Sequence, residues 1–229
     1  RWMRSPQGKA PPPPAGGDPP YRLILRQRAL WGGMIGTFCS NYAFYFVFSW
    51  LPLYLVNERG LSVAEMAPMA GAFYVADGAS VLLTGWLLDK WVLRGASLNR
   101  AYKTALVLSS AGVGLCLIAS SMVTGLVAAA AILLLTGVMD GLNSPANPSV
   151  TQTFAGPQAT GRWMGIQNAV GNVAGMTAPV VTGYLVQNTG HYTSALIVSG
   201  VVALFGLVAW LAIVPEVRPI DWSGYATNH

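Results

Sequence analysis

Residues 193–214 read TSALIVSGVVALFGLVAWLAIV and contain no charged side chain. A run of this length matches the ~20 apolar residues that an α-helix needs to cross the hydrocarbon core of a bilayer. The sequence therefore predicts an all-α membrane protein with six transmembrane helices, this run being the last. The five earlier apolar stretches cover residues 29–56, 67–88, 103–122, 124–144 and 163–187.

The composition excludes most classes of soluble protein. Apolar residues make up 53% of the chain and charged residues 9%, whereas a soluble domain has about 25% charged residues. The formal net charge of +5 does not indicate nucleic-acid binding, because the basic residues flank the apolar stretches and orient the chain in a membrane. Cys39 and Cys116 fall inside predicted helices, which indicates small buried residues and neither a disulfide nor a metal site.

The 13 Lys and Arg residues divide unequally between the two sides of the predicted membrane. Arg59 alone lies in a segment on the side opposite to the N-terminus. Cytoplasmic loops carry the excess of Lys and Arg in membrane proteins. The N- and C-termini are therefore both predicted to be cytoplasmic.

Three regions follow from this pattern. Residues 1–22 are rich in proline and glycine and predict a disordered cytoplasmic linker; residues 23–222 form the six-helix unit and residues 223–229 a cytoplasmic tail. A chain that opens with a linker and lacks an initial Met is expected to be part of something longer. The first and fourth helices each carry a polar cluster with a proline, and the third and sixth are plain. This alternation indicates the 3+3 inverted repeat of a transporter half.

The fifth predicted helix carries a polar stripe. Asn168 and Asn172 are four residues apart and share one helix face with Gly175 and Pro179. Two interpretations are open. The amides can bond across a helix interface, as polar side chains in membranes commonly do, or they can line a polar cavity and bind substrate. Pro179 favours the cavity, because a bent helix exposes backbone groups that need water or ligand.

The first predicted helix carries an aromatic set with one amide. Asn41 and Tyr45 are four residues apart, and Tyr42 is adjacent to Asn41. Such a set suits a sugar-like or aromatic acid, because rings stack on the ligand and hydroxyls donate to it. The alternative is an aromatic core packed against neighbouring helices.

Two carboxylates, Asp77 and Asp140, fall inside predicted helices. An ionised carboxylate at the bilayer centre costs about 2.5–3.5 kcal/mol on insertion scales, so each is expected to face the protein interior or water. Asp77 lies deeper and is the better candidate for a proton site, while Asp140 lies near the cytoplasmic end of its helix. A structural hydrogen-bonding role is the alternative for both.

The sequence shows none of the common catalytic motifs. His191 and His229 lie in an outer loop and at the C-terminus, and no His-Glu-x-x-His, Gly-x-Ser-x-Gly or phosphate-binding motif is present. An enzyme is therefore not predicted, and no cofactor is implied.

One loop motif resembles a known signature. Gly85-x3-Asp89-Lys90, followed by Arg94-Gly95, is similar to the second copy of the loop signature of the major facilitator superfamily. The resemblance implies that Gly85 permits close helix packing. It also implies that Asp89, Lys90 and Arg94 belong to a gating latch on the cytoplasmic face.

Two helix motifs resemble the anion:cation symporter branch of that superfamily, which transports sugar acids, tartrate and phthalate. Its seventh helix is similar to Asn41-Tyr42-x2-Tyr45 with Trp50-Leu51-Pro52. Its eleventh helix is similar to Gly161-Arg162-x2-Gly165-Ile166-x-Asn168-x2-Gly171-Asn172-x2-Gly175. The resemblance implies that residues 23–222 correspond to helices seven to twelve of a twelve-helix fold, and that residues 1–22 are the end of its central loop.

This resemblance also implies a function and a set of contacts. The expected function is proton-coupled symport of small organic anions by alternating access in a bacterial inner membrane. The charged groups of the site would lie mostly in the N-terminal six-helix half, which is the expected partner. The neutral substrate contacts implied in this chain are Asn41, Tyr42, Tyr45, Ser144, Asn147, Asn168 and Asn172.

Two other functions remain open from the sequence. A small permease could dimerise to rebuild two halves, and a membrane scaffold or sensor would transport nothing.

Overall fold

The structure is a computed structural model that describes residues 19–222. No β-strand is present in this range, so the prediction of an all-α fold is confirmed. The predicted tail and nearly all of the predicted linker lie outside the described residues. The helices are α1 (Tyr21–Leu25), α2 (Arg28–Asn57), α3 (Val63–Leu93), α4 (Leu98–Met122), α5 (Leu126–Asp140), α6 (Asn143–Thr189) and α7 (Thr193–Val208), which continues into a π-helical turn (Ala209–Ile213).

Within residues 19–222, four helical segments are long and apolar enough to cross a membrane. They are Val63–Leu93, Leu98–Met122, Leu126–Thr189 and Thr193–Ile213. The third combines α5 with α6 and contains 64 residues. At 1.5 Å per residue this length is enough for two crossings. The remaining long helix, α2, has 30 residues and contributes Thr37 to the lining of the cleft described below.

Helix α6 consists of two arms that meet at Gly156. Gly156 has φ +62° and ψ 176°, a conformation that residues other than glycine adopt only with strain. The two arms, residues 143–155 and 157–189, fold back on each other. This arrangement stacks the rings of Phe154 and Trp163, whose centroids are 6.1 Å apart. The last two carbonyls of the first arm accept hydrogen bonds from the chain after α7. Ile220 N donates to the Phe154 carbonyl at 3.2 Å, and Trp222 Nε1 donates to the Ala155 carbonyl at 2.8 Å.

The predicted bounds of the fourth and fifth helices were wrong at their cytoplasmic ends. We expected membrane helices over 124–144 and 163–187, and the structure shows that residues 143–155 and 157–162 between them are helical as well. The helix is interrupted at residues 141–142 and at the Gly156 break. Pro145 explains the interruption at 141–142, because it lies four residues after Gly141. Proline has no N–H to bond to the Gly141 carbonyl, and its ring clashes with that carbonyl.

Close helix contacts position the site. Helix α2 packs against α6 and α7, α4 packs against α7, and α3 packs against α5. A Cβ at Gly200 would lie 2.7 Å from the Gly114 carbonyl oxygen, so α4 and α7 approach each other at backbone distance. Two apolar clusters fill the interior near the two ends of the helices. The polar cleft lies between α2 and the arms of α6.

The basic residues of the described chain, except Arg59, lie at one end of the molecule. Arg28 donates to the Ala212 carbonyl and Lys103 to the Val214 carbonyl, so the start of α2 and the end of α7 share this end. Arg59 lies at the other end, where it donates to the Ser120 carbonyl at the end of α4. Arg59 is thus separated from the other basic residues in the fold, as the sequence pattern predicts.

Candidate functional site

A buried polar network joins α2 to both arms of α6. Gln167 Nε2 donates to Thr37 Oγ1 and to Asn147 Oδ1, each at 2.8 Å. Asn147 Nδ2 donates to Thr37 Oγ1 at 3.0 Å. All three side chains are buried. Helix α2 and the two arms of α6 therefore contribute one residue each to the network, and these hydrogen bonds fix the register of the three helical segments.

Two further residues hold Gln167 in this orientation. Its Oε1 accepts from Thr151 Oγ1 at 2.9 Å and from Trp163 Nε1 at 3.2 Å. Sequence reasoning missed Gln167 and these partners. One signal was available, because Trp163 and Gln167 are four residues apart on a face of the second arm that Asn168 adjoins.

A cleft of about 370 Å³ opens beside this network. Three residues predicted from the sequence line it, namely Ser144, Asn147 and Asn168. None of the lining residues is charged, and one acceptor, Asn143 Oδ1, is buried without a hydrogen-bond partner among the described residues. The full lining is Thr37, Asn143, Ser144, Asn147, Pro148, Thr151, Met164, Gly165, Gln167 and Asn168.

A second, more exposed chain of hydrogen bonds extends from the cleft along α6. Tyr45 Oη donates to Asn172 Oδ1 at 2.8 Å, and Asn172 Nδ2 donates to Asn168 Oδ1 at 2.8 Å. The Tyr45 ring packs on Gly175, where a Cβ would lie 3.1 Å from it. The structure thus brings Tyr45, Asn168 and Asn172 together.

The other two predicted contacts of α2 lie in different surroundings. Asn41 faces α6, where a Cβ on Gly171 would be 3.0 Å from its Nδ2. Its side chain makes no hydrogen bond to a described residue. Tyr42 is buried in a cluster with Ala174 and Ala178. The structure therefore places Tyr42 in the aromatic packing that the sequence left as the alternative.

The two intramembrane carboxylates are neighbours across the α3–α5 interface. A Cβ at Gly141, next to Asp140, would lie 2.7 Å from the Asp77 carbonyl oxygen, so the two residues lie on closely packed stretches of α3 and α5. Asp77 Oδ1 is buried and unpaired among the described residues. Sequence reasoning treated these residues separately, because their proximity depends on the packing of α3 on α5.

Within residues 19–222, no group of three or more His, Cys, Asp or Glu side chains is arranged to hold a metal ion.

The family of the chain follows from its sequence matches. Residues 2–170 and, in a second overlapping match, residues 99–226 fit the model of the Major Facilitator Superfamily. The chain belongs to the Major Facilitator Superfamily. This result confirms the resemblance found in the loop motif.

Among curated proteins, this major facilitator chain is similar to sugar-acid transporters. It is 29% identical over 208 residues to the probable galactarate/D-glucarate transporter GudP of Escherichia coli K12, covering 87% of this chain and 44% of that protein. Over 200 residues it is 28% identical to the D-galactonate transporter of E. coli O6:H1, with coverage of 87% and 46%. Over 210 residues it is 28% identical to the hexuronate transporter of Bacillus subtilis 168, with coverage of 88% and 47%.

The chain spans about half the length of the curated relatives it matches. These relatives confirm the resemblance to the sugar-acid branch that the two helix motifs indicated. All three are named as transporters, in agreement with the prediction that the chain is not an enzyme.

Solved transporters share the fold at low sequence identity. The E. coli fucose:proton symporter FucP superposes with a TM-score of 0.64 at 16% identity, over 83% of this chain and 44% of that one. The peptide transporter POT in complex with sulfate superposes with a TM-score of 0.64 at 19% identity, over 86% and 42%. The major facilitator chain thus matches a little under half of each, as a six-helix half of a twelve-helix fold does.

The loop signature of the superfamily lies in the last turns of α3. A Cβ on Gly85 would be in ordinary contact with Pro145 Cβ, at 3.9 Å, so α3 approaches the first arm of α6 there. Asp89 is exposed and pairs with no described residue. Lys90 Nζ lies 4.4 Å from the centre of the Trp86 ring. The latch implied by the resemblance is therefore not formed within the described part of the chain.

Proposed function

We propose that this chain contributes half of the substrate pathway of a membrane transporter for small organic anions of the sugar-acid class. The observation that carries the proposal is the uncharged cleft between α2 and α6. Three of its polar lining residues, Thr37, Asn147 and Gln167, are locked by buried hydrogen bonds. Polar side chains inside membrane helices are expensive, and they commonly mark substrate pathways.

The chemistry of the cleft suits the hydroxyl groups of a sugar acid. Amides offer both donors and acceptors. The unpaired Asn143 Oδ1 can accept a bond from a substrate hydroxyl, and the amides of Asn147 and Asn168 border the same space. No cationic side chain lines the cleft. We infer that the carboxylate of the substrate is bound by groups outside the described residues.

A second six-helix half would complete the pathway. Transporters of this architecture bind substrate near the midplane between two halves that rock against each other. The described helices would supply the Asn168 and Tyr45 side of that site. The location proposed is the bacterial inner membrane, with the basic end of the helices in the cytoplasm, because Lys and Arg accumulate on that side.

We propose further that Asp77 and Asp140 take part in proton coupling. The two carboxylates are carried by stretches of α3 and α5 whose backbones pack closely at Gly141, and neither forms an ion pair with a described residue. Keeping two negative charges side by side in this setting is costly, whereas a bound proton relieves the repulsion. The unpaired Asp77 Oδ1 marks the position where such a proton would be held.

The substrate proposal is tested by uptake of radiolabelled D-glucarate, D-galactonate and D-glucuronate into cells that express the complete gene product. We expect saturable uptake of at least one of these anions. Asn168→Ala is expected to reduce it by roughly tenfold, since one or two hydrogen bonds to the substrate are lost. The matched control, Asn188→Ala, removes an exposed amide at the end of α6 and should leave uptake unchanged. Uptake of none of the three anions above the level of empty cells would overturn the proposal.

The coupling proposal is tested separately with Asp77→Asn and Asp140→Asn. A neutral amide cannot carry the coupled proton, so we expect loss of accumulation driven by a pH gradient and retention of counterflow exchange. Loss of both activities together would show that the pair is structural and would remove the coupling proposal while leaving the substrate proposal intact.

The alternatives predict other outcomes. A dimerising permease predicts substrate-specific uptake by proteoliposomes that contain only residues 1–229. A scaffold or sensor predicts that Asn168→Ala and Tyr45→Ala leave the complete protein unchanged in every transport assay.

A further inference from the structure

A second cleft lies between α3 and α4, toward the end of α3 that carries Leu88 and Lys90. Its volume is about 330 Å³. The deeper part is apolar, with Leu88 and Ala105 at its wall. Two cationic residues, Lys90 and Arg94, line its mouth. It shares no lining residue with the polar cleft between α2 and α6.

The groove opens onto apolar surface on both helices. Leu87 on α3 is 48% exposed and Leu108 on α4 is 51% exposed, and both line the groove. Exposed leucines on membrane helices face acyl chains. The apolar part of the groove is therefore continuous with exposed apolar surface on α3 and α4, so an acyl chain can enter it from the side.

The mouth of the groove has the electrostatics of an anion site. Arg94 is exposed, and its side chain makes no hydrogen bond, ion pair or ring contact with a described residue. Lys90 rests on the Trp86 ring, 4.4 Å from its centre, and Arg100 lies 6.0 Å from the centre of the Trp91 ring. Asp89 is the one acidic residue in the stretch 78–139, and it is exposed. The cations outnumber it at this end of the helices.

Aromatic residues fix the depth of this mouth. Trp86 is 56% exposed and Trp91 37% exposed, and Trp91 lines the groove. Tryptophan prefers the level of the lipid headgroups. Lys90 and Arg94 are therefore held at the height of the phosphates, with the apolar part of the groove below them.

We propose that the α3–α4 groove binds one anionic phospholipid, whose phosphate is held by Lys90 and Arg94 and whose acyl chain fills the apolar part. Basic pockets between membrane helices recognise anionic headgroups in this way. A zwitterionic lipid offers the same chains but cancels the headgroup charge. The groove therefore selects for net negative charge.

The test is native mass spectrometry of the 229-residue chain in detergent, titrated with phosphatidylglycerol or with phosphatidylcholine of the same acyl chains. We expect one tightly bound phosphatidylglycerol and at least tenfold weaker binding of phosphatidylcholine. Each cation near a lipid surface contributes about fivefold in affinity. The double variant K90Q/R94Q should therefore bind phosphatidylglycerol about 30-fold more weakly.

Two matched variants sharpen this test. R22Q/R26Q removes two exposed charges from the start of the chain's helical part, at the same basic end but outside the groove, and should bind phosphatidylglycerol like the parent. Thr104→Phe fills the groove without changing charge and should lose the tightly bound lipid. Circular dichroism confirms that each variant keeps its helical content.

Several outcomes overturn the proposal. They are equal binding of the two lipids, equal losses in K90Q/R94Q and R22Q/R26Q, and undiminished binding by Thr104→Phe. Binding by the 229-residue chain that disappears in the complete gene product would also overturn it, because the groove would then be a contact between protein segments.

Discussion

At the scale of single residues, Gln167 joins both arms of α6 to α2 through four hydrogen bonds. Its amide is buried and fully used, so it holds the wall of the cleft and is not free to bind a ligand. Asn168, the next residue, is exposed and points its polar atoms toward Asn172. Adjacent residues on one helix thus have different tasks, one structural and one available to substrate.

Replacing Gln167 should therefore affect stability first. Gln167→Leu leaves the Thr151 hydroxyl and the Trp163 N–H buried without their partner, at a cost of roughly 1–3 kcal/mol. We expect a lower midpoint of thermal unfolding in detergent, by about 2–4 °C per kcal/mol. Gln152→Leu, the same change at an exposed position of the first arm, should leave the midpoint in place. Equal midpoints for the two variants would contradict the network.

Replacing Tyr45 should have the opposite effect, changing uptake and not stability. Its hydroxyl orients Asn172 from the exposed side of the cleft, so Tyr45→Phe should lower the uptake of sugar acids about fivefold and leave the unfolding midpoint unchanged. The loss corresponds to one hydrogen bond of about 1 kcal/mol. Tyr184→Phe removes a hydroxyl from an exposed tyrosine of α6 and serves as the control. Reduced uptake in both variants would contradict a specific role of the Tyr45 hydroxyl and would indicate a general effect on the surface of α6.

At the scale of helices, Gly156 divides α6 and lets its arms fold back. Gly156→Ala places a Cβ at φ +62° and ψ 176°, a region essentially restricted to glycine, which costs about 1–3 kcal/mol for an L-residue. We expect destabilisation in chemical unfolding. Gly161→Ala, in the second arm where a Cβ meets open space, should instead be neutral or stabilising by up to about 1 kcal/mol. Effects of the same sign and size would show that the positive φ does not determine the break.

The sequence predicts helices well where the signal is local. Hydropathy over ~20 residues locates the crossings from residues 29 to 214, since length and apolarity are properties of each segment alone. It failed between residues 145 and 162, because prolines that end helices in water are tolerated inside membrane helices. A local signal was available at the break itself, because Gly156 precedes Pro157 whereas Gly161 precedes Arg162, and the residue before a proline is biased away from helical backbone.

The site was partly predictable for the same physical reason. The pairs Asn41/Tyr45 and Asn168/Asn172 are read from a spacing of four residues on one helix, and Tyr45 and Asn172 do meet. The bonds of Gln167 to Thr37 span 130 positions in the sequence. They depend on the register between α2 and α6, which a helical period does not specify. The pairing of Asp77 with Asp140 depends likewise on how α3 packs on α5.

At the scale of the whole molecule, three loops at the end opposite the basic residues are tied together. Arg59 donates to Tyr54 Oη at 2.7 Å and to the carbonyls of Ser120 and Thr124 at 3.1 Å. The neighbouring Glu58 accepts from Tyr192 N at 2.7 Å. The α2–α3, α4–α5 and α6–α7 connections are thus linked through two adjacent residues. A half that rocks as a rigid body needs such a tie, because its helices must move together.

Removing the Arg59 tie should loosen that end selectively. In Arg59→Gln the shorter side chain loses the carbonyls of Ser120 and Thr124, and we expect faster amide hydrogen exchange at residues 120–126, with a loss of roughly 1–3 kcal/mol in unfolding free energy. Exchange at residues 94–98, at the basic end, should not change. Arg26→Gln, an exposed residue with no side-chain partner among the described residues, is the charge-matched control and should alter neither region. Faster exchange at both ends in Arg59→Gln would mean that the arginine supports overall stability and not the joint movement of the three loops.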